Sequence, residues 1–129
     1  MIDRQISAFM QSYVVGVELD DSVEQVCQTL DQHQLHCVPV FTPDKQVFGV
    51  ISASDLVHFS TLHEDPKQQR AWEVCSHKVI TVNAAISARQ AAELMVEQKI
   101  HHLLVMNEQH IVGIVSSLDL IQACLLNQN

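Results

Sequence analysis

Hydrophobic positions in the first half of the chain alternate between strand-like and helix-like spacing. A run rich in β-branched residues ends at Val17, and apolar residues then recur at helical spacing from Val23 to Leu30. Two further β-branched runs flank a Pro-Asp turn, which is typical of a hairpin. The pattern predicts a strand over 13–17, a helix from 23, strands over 38–41 and 47–51, and a helix over 52–59.

The second half repeats this order. Between the halves, residues 61–70 are polar, charged and interrupted by Pro66, which predicts a solvated linker. The second set comprises a strand over 79–82, a helix over 87–98, strands over 103–106 and 111–115, and a helix over 116–126. Each half is therefore β-α-β-β-α, an α+β arrangement, with repeats at 1–64 and 65–129. At about 60 residues, neither half is expected to be stable alone.

The repetition extends to residue identity. The segment Gly-Val-Ile-Ser-Ala-Ser-Asp-Leu from Gly49 returns as Gly-Ile-Val-Ser-Ser-Leu-Asp-Leu from Gly113. Upstream, matched residues such as Val17 and Val82 lie 65 positions apart, whereas the two glycines lie 64 apart. This shift places a one-residue insertion or deletion in the hairpin turn after Thr42. A repeat present twice predicts a pseudo-symmetric pair closing one core, with function where the copies meet.

Composition and charge remove several classes of function. The net charge is −8, and the seven Lys and Arg residues do not cluster, which disfavours nucleic acid and membrane surfaces as partners. No apolar run is long enough to span a bilayer and the N-terminus does not resemble a signal peptide, so we expect a soluble cytoplasmic protein. The four cysteines are scattered without a CxxC pair, which disfavours a disulfide framework or a zinc ribbon.

The repeated Ser-x-x-Asp segment allows two interpretations. Ser52 with Asp55, and Ser116 with Asp119, each precede an apolar helix, which is the signature of a helix N-cap. The same place is favourable for phosphate, so capping and ligand binding are compatible. Neighbouring strand residues rarely chelate one metal together, so the histidines do not predict a metal site. No nucleophile elbow or phosphate-binding P-loop is present, and we expect no enzymatic activity.

With both motifs in view, the chain resembles a tandem pair of cystathionine-β-synthase (CBS) domains, a Bateman module. The specific part is the pattern Gly-hydrophobic-x-Ser/Thr-x-x-Asp, met from Gly49 and again from Gly113, each time after a strand-helix-hairpin block. Residues 6–10 and 71–75 match the short helix that opens each repeat of the family. The resemblance implies two repeats packed sheet to sheet, with two clefts that bind adenosine-containing ligands.

The resemblance also implies roles for individual residues. In the family the motif Asp accepts from the ribose hydroxyls, the Ser/Thr reaches ribose or phosphate, and residues opening the preceding strand approach phosphate or base. The ligand-binding residues implied here are Asp119, Ser116, His101, His102, Leu35, His36, Cys37, Asp55, Ser52 and Ser54. Two departures from the family stand out. His102 and Cys37 occupy positions where a cation contacts phosphate, and Leu118 replaces the second hydroxyl that Ser54 retains.

Two functions follow as hypotheses. The first is a regulatory sensor that binds an adenine nucleotide as effector, requires no cofactor and acts on an unidentified partner protein. Because no Lys or Arg lies in either motif, we expect AMP or adenosine to bind better than ATP, with S-adenosylmethionine as the alternative ligand. The second is a ligand-independent dimerisation or scaffold module. A homodimer is expected through the apolar helices that end each repeat, which carry Leu56, Val57 and Phe59, and Leu120, Ile121 and Leu125.

Overall fold

The chain folds into two compact units that do not coincide with the two halves of the sequence. The computed structural model describes residues 3–12 and 14–126. One unit, the first-repeat unit, spans Val15–Val79. The other, the second-repeat unit, combines the segment up to Val14 with the chain from Ile80 onward.

Each unit contains a three-stranded sheet and two long helices. The first-repeat unit contains β1 (Val17–Glu18), α1 (Val23–His33), β2 (Cys37–Phe41), β3 (Val47–Ser52), α2 (Ala53–Ser60) and the short α3 (Ala71–Val74). The second-repeat unit contains a 3₁₀ turn (Ile6–Ala8), β4 (Thr81–Asn83), α4 (Ala88–Gln98), β5 (His102–Asn107), β6 (His110–Ser116) and α5 (Ser117–Leu126). The predicted β-α-β-β-α order and the α+β class are confirmed in both repeats.

The two sheets share one topology and one irregularity. In each, the first strand pairs parallel to the second, which pairs antiparallel to the third. Register shifts occur between Val40 and Phe41 and, at the equivalent place, between Val105 and Met106. Phe41 pairs with Val47, whereas the equivalent residue Met106 pairs with Ile111, so the chain between the paired residues is one residue longer in the first repeat, as the change in sequence offset predicted. In the first repeat the first strand is Val17–Glu18, so residues 14–16 of the predicted strand precede it, and Tyr13 lies outside the described residues.

The long first helices begin and end alike. Ser22 and Ser87 each accept from the backbone N–H three residues later, and the Gln at that position accepts from the Ser N–H, which forms a capping box. Both helices end at a left-handed non-glycine residue, Gln34 (φ 55°) or Lys99 (φ 57°). The next residue then donates back to the last turn, as in a Schellman motif.

The segments that open the repeats pack on the opposite repeat. Ile6 is fully buried in the core of the second-repeat unit, with Leu103, Val105 and Val115. Ala71, which lies 65 positions after Ile6, is buried in the core of the first-repeat unit. Each compact unit is therefore completed by the opening segment that the sequence attaches to the other repeat.

The linker between the repeats is exposed, as the sequence predicted, and its backbone also forms hydrogen bonds with the start of α1. The carbonyls of Pro66 and Gln69 accept from the N–H groups of Glu24 (3.0 Å) and Val23 (2.9 Å) at the start of α1. In the second-repeat unit the Arg4 carbonyl likewise accepts from Ala88 N–H (2.8 Å). Helix starts have unpaired donors, so these segments supply acceptors that water would otherwise provide.

Candidate functional site

The first Ser-x-x-Asp motif forms a closed set of hydrogen bonds at the start of α2. Ser52 N–H donates to Asp55 Oδ2 (2.9 Å), and the Asp55 N–H donates to Ser52 Oγ (3.4 Å). The Ser52 hydroxyl also contacts Asp55 Oδ2 (3.1 Å) and the hydroxyl of Ser54 (2.8 Å). The capping interpretation of this motif is therefore confirmed.

The second motif has the same geometry at the start of α5. Ser116 N–H donates to Asp119 Oδ2 (2.8 Å), and Asp119 N–H donates to Ser116 Oγ (3.0 Å). Among the described residues, none donates a hydrogen bond to Oδ1 of Asp119 or of Asp55. Both aspartates are only partly buried. Within the part of the chain that the structure describes, one oxygen of each aspartate holds the helix start and the other accepts no hydrogen bond.

The motif glycines allow the opening segment of the other repeat to lie against the hairpin. Gln11 pairs with Ile114, and Ser76 pairs with Val50. A Cβ at Gly113 would lie 2.8 Å from the Gln11 carbonyl oxygen, and one at Gly49 would lie 2.6 Å from that of Ser76. Because a side chain at either glycine would collide with a backbone carbonyl, these glycines are required for the close packing of the two backbone segments.

Pairing between strands places the residue that opens β2 or β5 beside the motif serine. Cys37 is the partner of Ser52, and His102 is the partner of Ser116. The carbonyl of His36 accepts from Ala53 N–H at the start of α2, and the carbonyl of His101 accepts from Ser117 N–H at the start of α5, each at 2.9 Å. The structure thus brings His102, Ser116 and Asp119 together in one unit, and Cys37, Ser52 and Asp55 in the other.

The two units differ in what they offer at this position. Cys37 is buried, and burial together with the nearby Asp55 carboxylate raises the pKa of its thiol to about 12. Cys37 is therefore a neutral thiol at physiological pH, whereas His102 supplies a partly buried imidazole. Leu118, where the first repeat has Ser54, is 53% exposed.

Leu35 and His36 lie on the helical side of the first-repeat unit. They line an open groove of about 550 Å³ bordered by α1 and α2, together with Ala53 and Leu56. The His36 side chain is exposed, and so is that of His101 in the other unit.

Cys75 is a neighbour of the first motif that the sequence did not single out. Its sulfur would lie 2.9 Å from a Cβ at Gly49, and burial and the Asp55 carboxylate both raise the pKa of its thiol. The 65-residue repeat offset could have indicated this contact, because it makes Cys75 equivalent to Met10, the residue that packs against Gly113.

Across residues 3–12 and 14–126, no three His, Cys, Asp or Glu side chains are grouped closely enough to hold a metal ion. In the same part of the chain, no helix combines the length and the apolar character needed to cross a bilayer.

Comparison with known proteins agrees with this geometry. The family model for the CBS domain matches twice, over residues 6–61 and 71–126. The inosine-5'-monophosphate dehydrogenase of Halobacterium salinarum is 36% identical over 104 residues, which cover 80% of this chain but 20% of that enzyme. The CBS domain-containing protein YhcV of Bacillus subtilis is 24% identical over 86% of this chain and 79% of its own length.

Solved structures show the same fold. An uncharacterised conserved protein from Pyrococcus horikoshii superposes with a TM-score of 0.87 at 23% identity, covering 97% of this chain and 95% of that chain. A CBS-domain-containing protein from Agrobacterium tumefaciens has a TM-score of 0.83 at 25% identity, covering 88% and 86%. With both repeats matched by the family model and the Ser-x-x-Asp geometry present in each, the chain belongs to the CBS-domain family and carries two CBS domains in tandem.

Proposed function

We propose that this tandem CBS module is a regulatory sensor that binds an adenine nucleotide and transmits its occupancy to a partner protein. The observation that carries the proposal is the half-used carboxylate of Asp55 and Asp119. In each, Oδ2 holds the helix start, and Oδ1 accepts nothing from the described residues. A pair of ribose hydroxyls is a suitable donor to such an oxygen, since hydrogen bonds to a charged acceptor are the stronger ones.

AMP or adenosine is the preferred ligand in this proposal. Ser116 and His102 adjoin Asp119 in the second-repeat unit, and neither motif contains Lys or Arg. Each further phosphate adds negative charge to a protein of net charge −8 and requires charge-assisted donors. A helix N-terminus and an imidazole can serve one phosphate, so ATP should bind less tightly than AMP. S-adenosylmethionine, a cation, is the alternative ligand for so acidic a protein.

The test is a thermal-shift and calorimetric screen with AMP, adenosine, ATP and S-adenosylmethionine. At a hundred times its dissociation constant, a ligand of the folded state should stabilise the module by about 2.7 kcal/mol. Asp119→Asn is the informative variant, because the amide oxygen can still accept from Ser116 N–H while an NH2 donor replaces the second carboxylate oxygen. Ser87→Ala is its control, since it removes the equivalent cap acceptor at the start of α4, outside the motif, and retains Asp119.

A ligand-independent scaffold is the second candidate. It is favoured by the capping boxes, which account for Ser52, Asp55, Ser116 and Asp119 without any ligand. Absence of a stabilising response to all of these ligands would support it.

We also propose that the module self-associates through the helices that end each repeat. Of the residues expected there, Phe59 and Leu120 are buried in the cores and are not available. Val57, Ile121 and Leu125 remain 66%, 50% and 65% exposed. Sedimentation at micromolar concentration should give a species heavier than 14.5 kDa, and a lone 14.5 kDa species would refute self-association.

A further inference from the structure

An exposed tryptophan lies on the surface of the first-repeat unit. Trp72, the one tryptophan in the sequence, belongs to the short helix α3 and is 48% exposed. Its backbone N–H donates to the Leu19 carbonyl (3.2 Å), and the N–H of Ala71 donates to the Asp21 carbonyl (2.8 Å). Tryptophan is usually well buried in a folded protein, so an indole held in an exposed position is a candidate contact for a partner.

Carboxylates flank this tryptophan on both of the hydrogen-bonded segments. Residues 18–21 and 70–73 together contain four carboxylates and one guanidinium, a formal charge of −3. The carboxylates are Glu18, Asp20, Asp21 and Glu73. Asp21 is partly buried and the other three are exposed. We call the four exposed residues of these segments, Glu18, Asp20, Trp72 and Glu73, the Trp72 surface.

Side chains of the two segments also hold their backbones in place. Asp21 Oδ2 accepts from the Glu18 N–H (2.9 Å), and Glu73 Oε1 accepts from the Arg70 N–H (2.9 Å). Arg70 Nη1 donates to the backbone carbonyl of Asp20 (3.2 Å), which ties one segment to the other. A surface that is ordered before binding loses less conformational entropy when a partner arrives.

The second-repeat unit has no such surface at the equivalent place. The 65-residue offset puts small neutral side chains at all four positions, and all four are exposed. They are Ser7, Ala8, Asn83 and Ala85. Because the second repeat forms the same fold with these residues, the fold requires neither the tryptophan nor the carboxylates. Their presence in the first repeat calls for a reason outside folding.

We propose that the Trp72 surface binds a basic segment of a partner protein, with an Arg or Lys side chain against the indole and further cations paired with the carboxylates. A cation over the face of a tryptophan is attracted by the ring, and carboxylates form the stronger, charge-assisted hydrogen bonds. The first-repeat unit carries ten carboxylates and four Lys or Arg, a formal charge of −6, which favours the approach of a cationic partner. The proposal does not depend on nucleotide binding.

Intrinsic fluorescence of the full chain tests the proposal, because Trp72 is the one source of indole emission. The probe is a short peptide of alternating Arg and Ser, which contains no aromatic residue. It should shift the emission to shorter wavelength in a saturable way and protect Trp72 from quenching by acrylamide. The matched peptide of alternating Glu and Ser should do neither, and added salt should weaken binding of the Arg peptide.

Neutralised carboxylates separate this surface from the overall acidity of the protein, with binding measured by the anisotropy of a labelled Arg peptide. Asp20→Asn/Glu73→Gln keeps an oxygen at each position and should raise the dissociation constant about three- to tenfold. The control Glu93→Gln/Glu97→Gln makes the same change in net charge on exposed residues of α4 and should stay within about twofold of the wild type. Trp72→Leu keeps an apolar side chain but removes the ring, and should weaken binding about three- to thirtyfold.

Three results would overturn the proposal. The first is an unchanged Trp72 emission with the Arg peptide at up to about 1 mM, since a specific contact is tighter than this. The second is equal weakening in the two carboxylate variants, which would show that overall charge alone attracts the peptide. The third is an emission that shifts with the concentration of the protein itself, which would assign the surface to a second copy of this chain. AMP binding is measured separately, so its failure and the failure of this proposal are distinguishable.

Discussion

At the scale of single residues, each motif aspartate combines a structural role with an oxygen that accepts no hydrogen bond from the described residues. Oδ2 of Asp55 and of Asp119 completes a capping box, which is sufficient reason for an acidic residue at that position. The capping role and the proposed ribose contact use different oxygens of one carboxylate. A variant that keeps one oxygen in place therefore separates them better than alanine does.

Removing a cap acceptor should cost stability without removing the carboxylate. Ser116→Ala leaves the Asp119 N–H without its acceptor at 3.0 Å, so the free energy of unfolding should fall by about 1 kcal/mol. Denaturant unfolding measures the change. Ser117→Ala, at the next position along the chain, is the matched control and should lie within about 0.5 kcal/mol of the wild type. Equal stability of Ser116→Ala and wild type would contradict the capping geometry.

The buried thiol of Cys37 predicts a dependence of stability on pH. Its folded-state pKa of about 12 lies above the ordinary value of 9.0, so the folded state holds the proton more tightly. Below pH 9 both states are neutral and no stability is lost. Between about pH 9 and 12 the unfolded thiol ionises first, and this one group should lower the free energy of unfolding by up to about 1.4 kcal/mol per pH unit.

Denaturant unfolding of Cys37→Ala against wild type isolates this contribution, because other groups titrate equally in both. The variant should lose stability less steeply above pH 9 than the wild type does. Parallel curves for Cys37→Ala and wild type would contradict the burial effect. In the native wild-type protein at pH 8, an alkylating reagent should modify the exposed Cys27 and spare Cys37.

At the scale of elements, the motif glycines should tolerate no side chain. An alanine Cβ at Gly49 would approach the Ser76 carbonyl oxygen to 2.6 Å, and backbone cannot move aside as a flexible side chain can. Gly49→Ala should therefore lower the free energy of unfolding by about 1–3 kcal/mol. Gln46→Ala, in the adjoining turn, is the control. A change below about 0.5 kcal/mol in Gly49→Ala would show that the opening segment is not held against β3.

The end of α1 offers a stabilising substitution. Gln34 adopts φ 55° and ψ 49°, a left-handed conformation that glycine reaches without steric cost. Gln34→Gly should raise the free energy of unfolding by about 0.5–1 kcal/mol, measured in denaturant. Gln28→Gly, exposed within the same helix, should instead lower it by about 1 kcal/mol. If Gln34→Gly lowered the free energy of unfolding as Gln28→Gly does, the left-handed conformation of Gln34 would not be a source of strain.

At the scale of the whole molecule, the sequence predicted the order of elements well because each depends on local spacing and on local turn chemistry. The repeat also predicted the hairpin difference after Thr42. The exchange of opening segments was not predicted, since Ile6 is apolar in either arrangement and only tertiary packing decides which core receives it. Phe59 and Leu120 were wrongly expected at a dimer contact and are buried in the cores instead. Helical spacing identifies an apolar face, but it does not show which part of the protein covers that face.

The candidate site was predictable to a similar degree. Ser52 and Asp55 form a local unit four residues long, and their geometry follows from the motif itself. Contacts made across elements, such as Cys75 against Gly49, depend on how far apart two backbones lie and leave only an indirect trace in the sequence.

The most direct test of the sensor proposal is calorimetric titration of AMP into the wild type and into the Asp55→Asn/Asp119→Asn variant, whose capping oxygens are retained. A sensor of this kind should show saturable binding in the wild type and a dissociation constant about ten- to a hundredfold higher in the variant, because a charged acceptor for two hydroxyls is lost. An equal AMP affinity in both proteins, or no heat of binding in the wild type, would contradict it and leave the aspartates as helix caps alone.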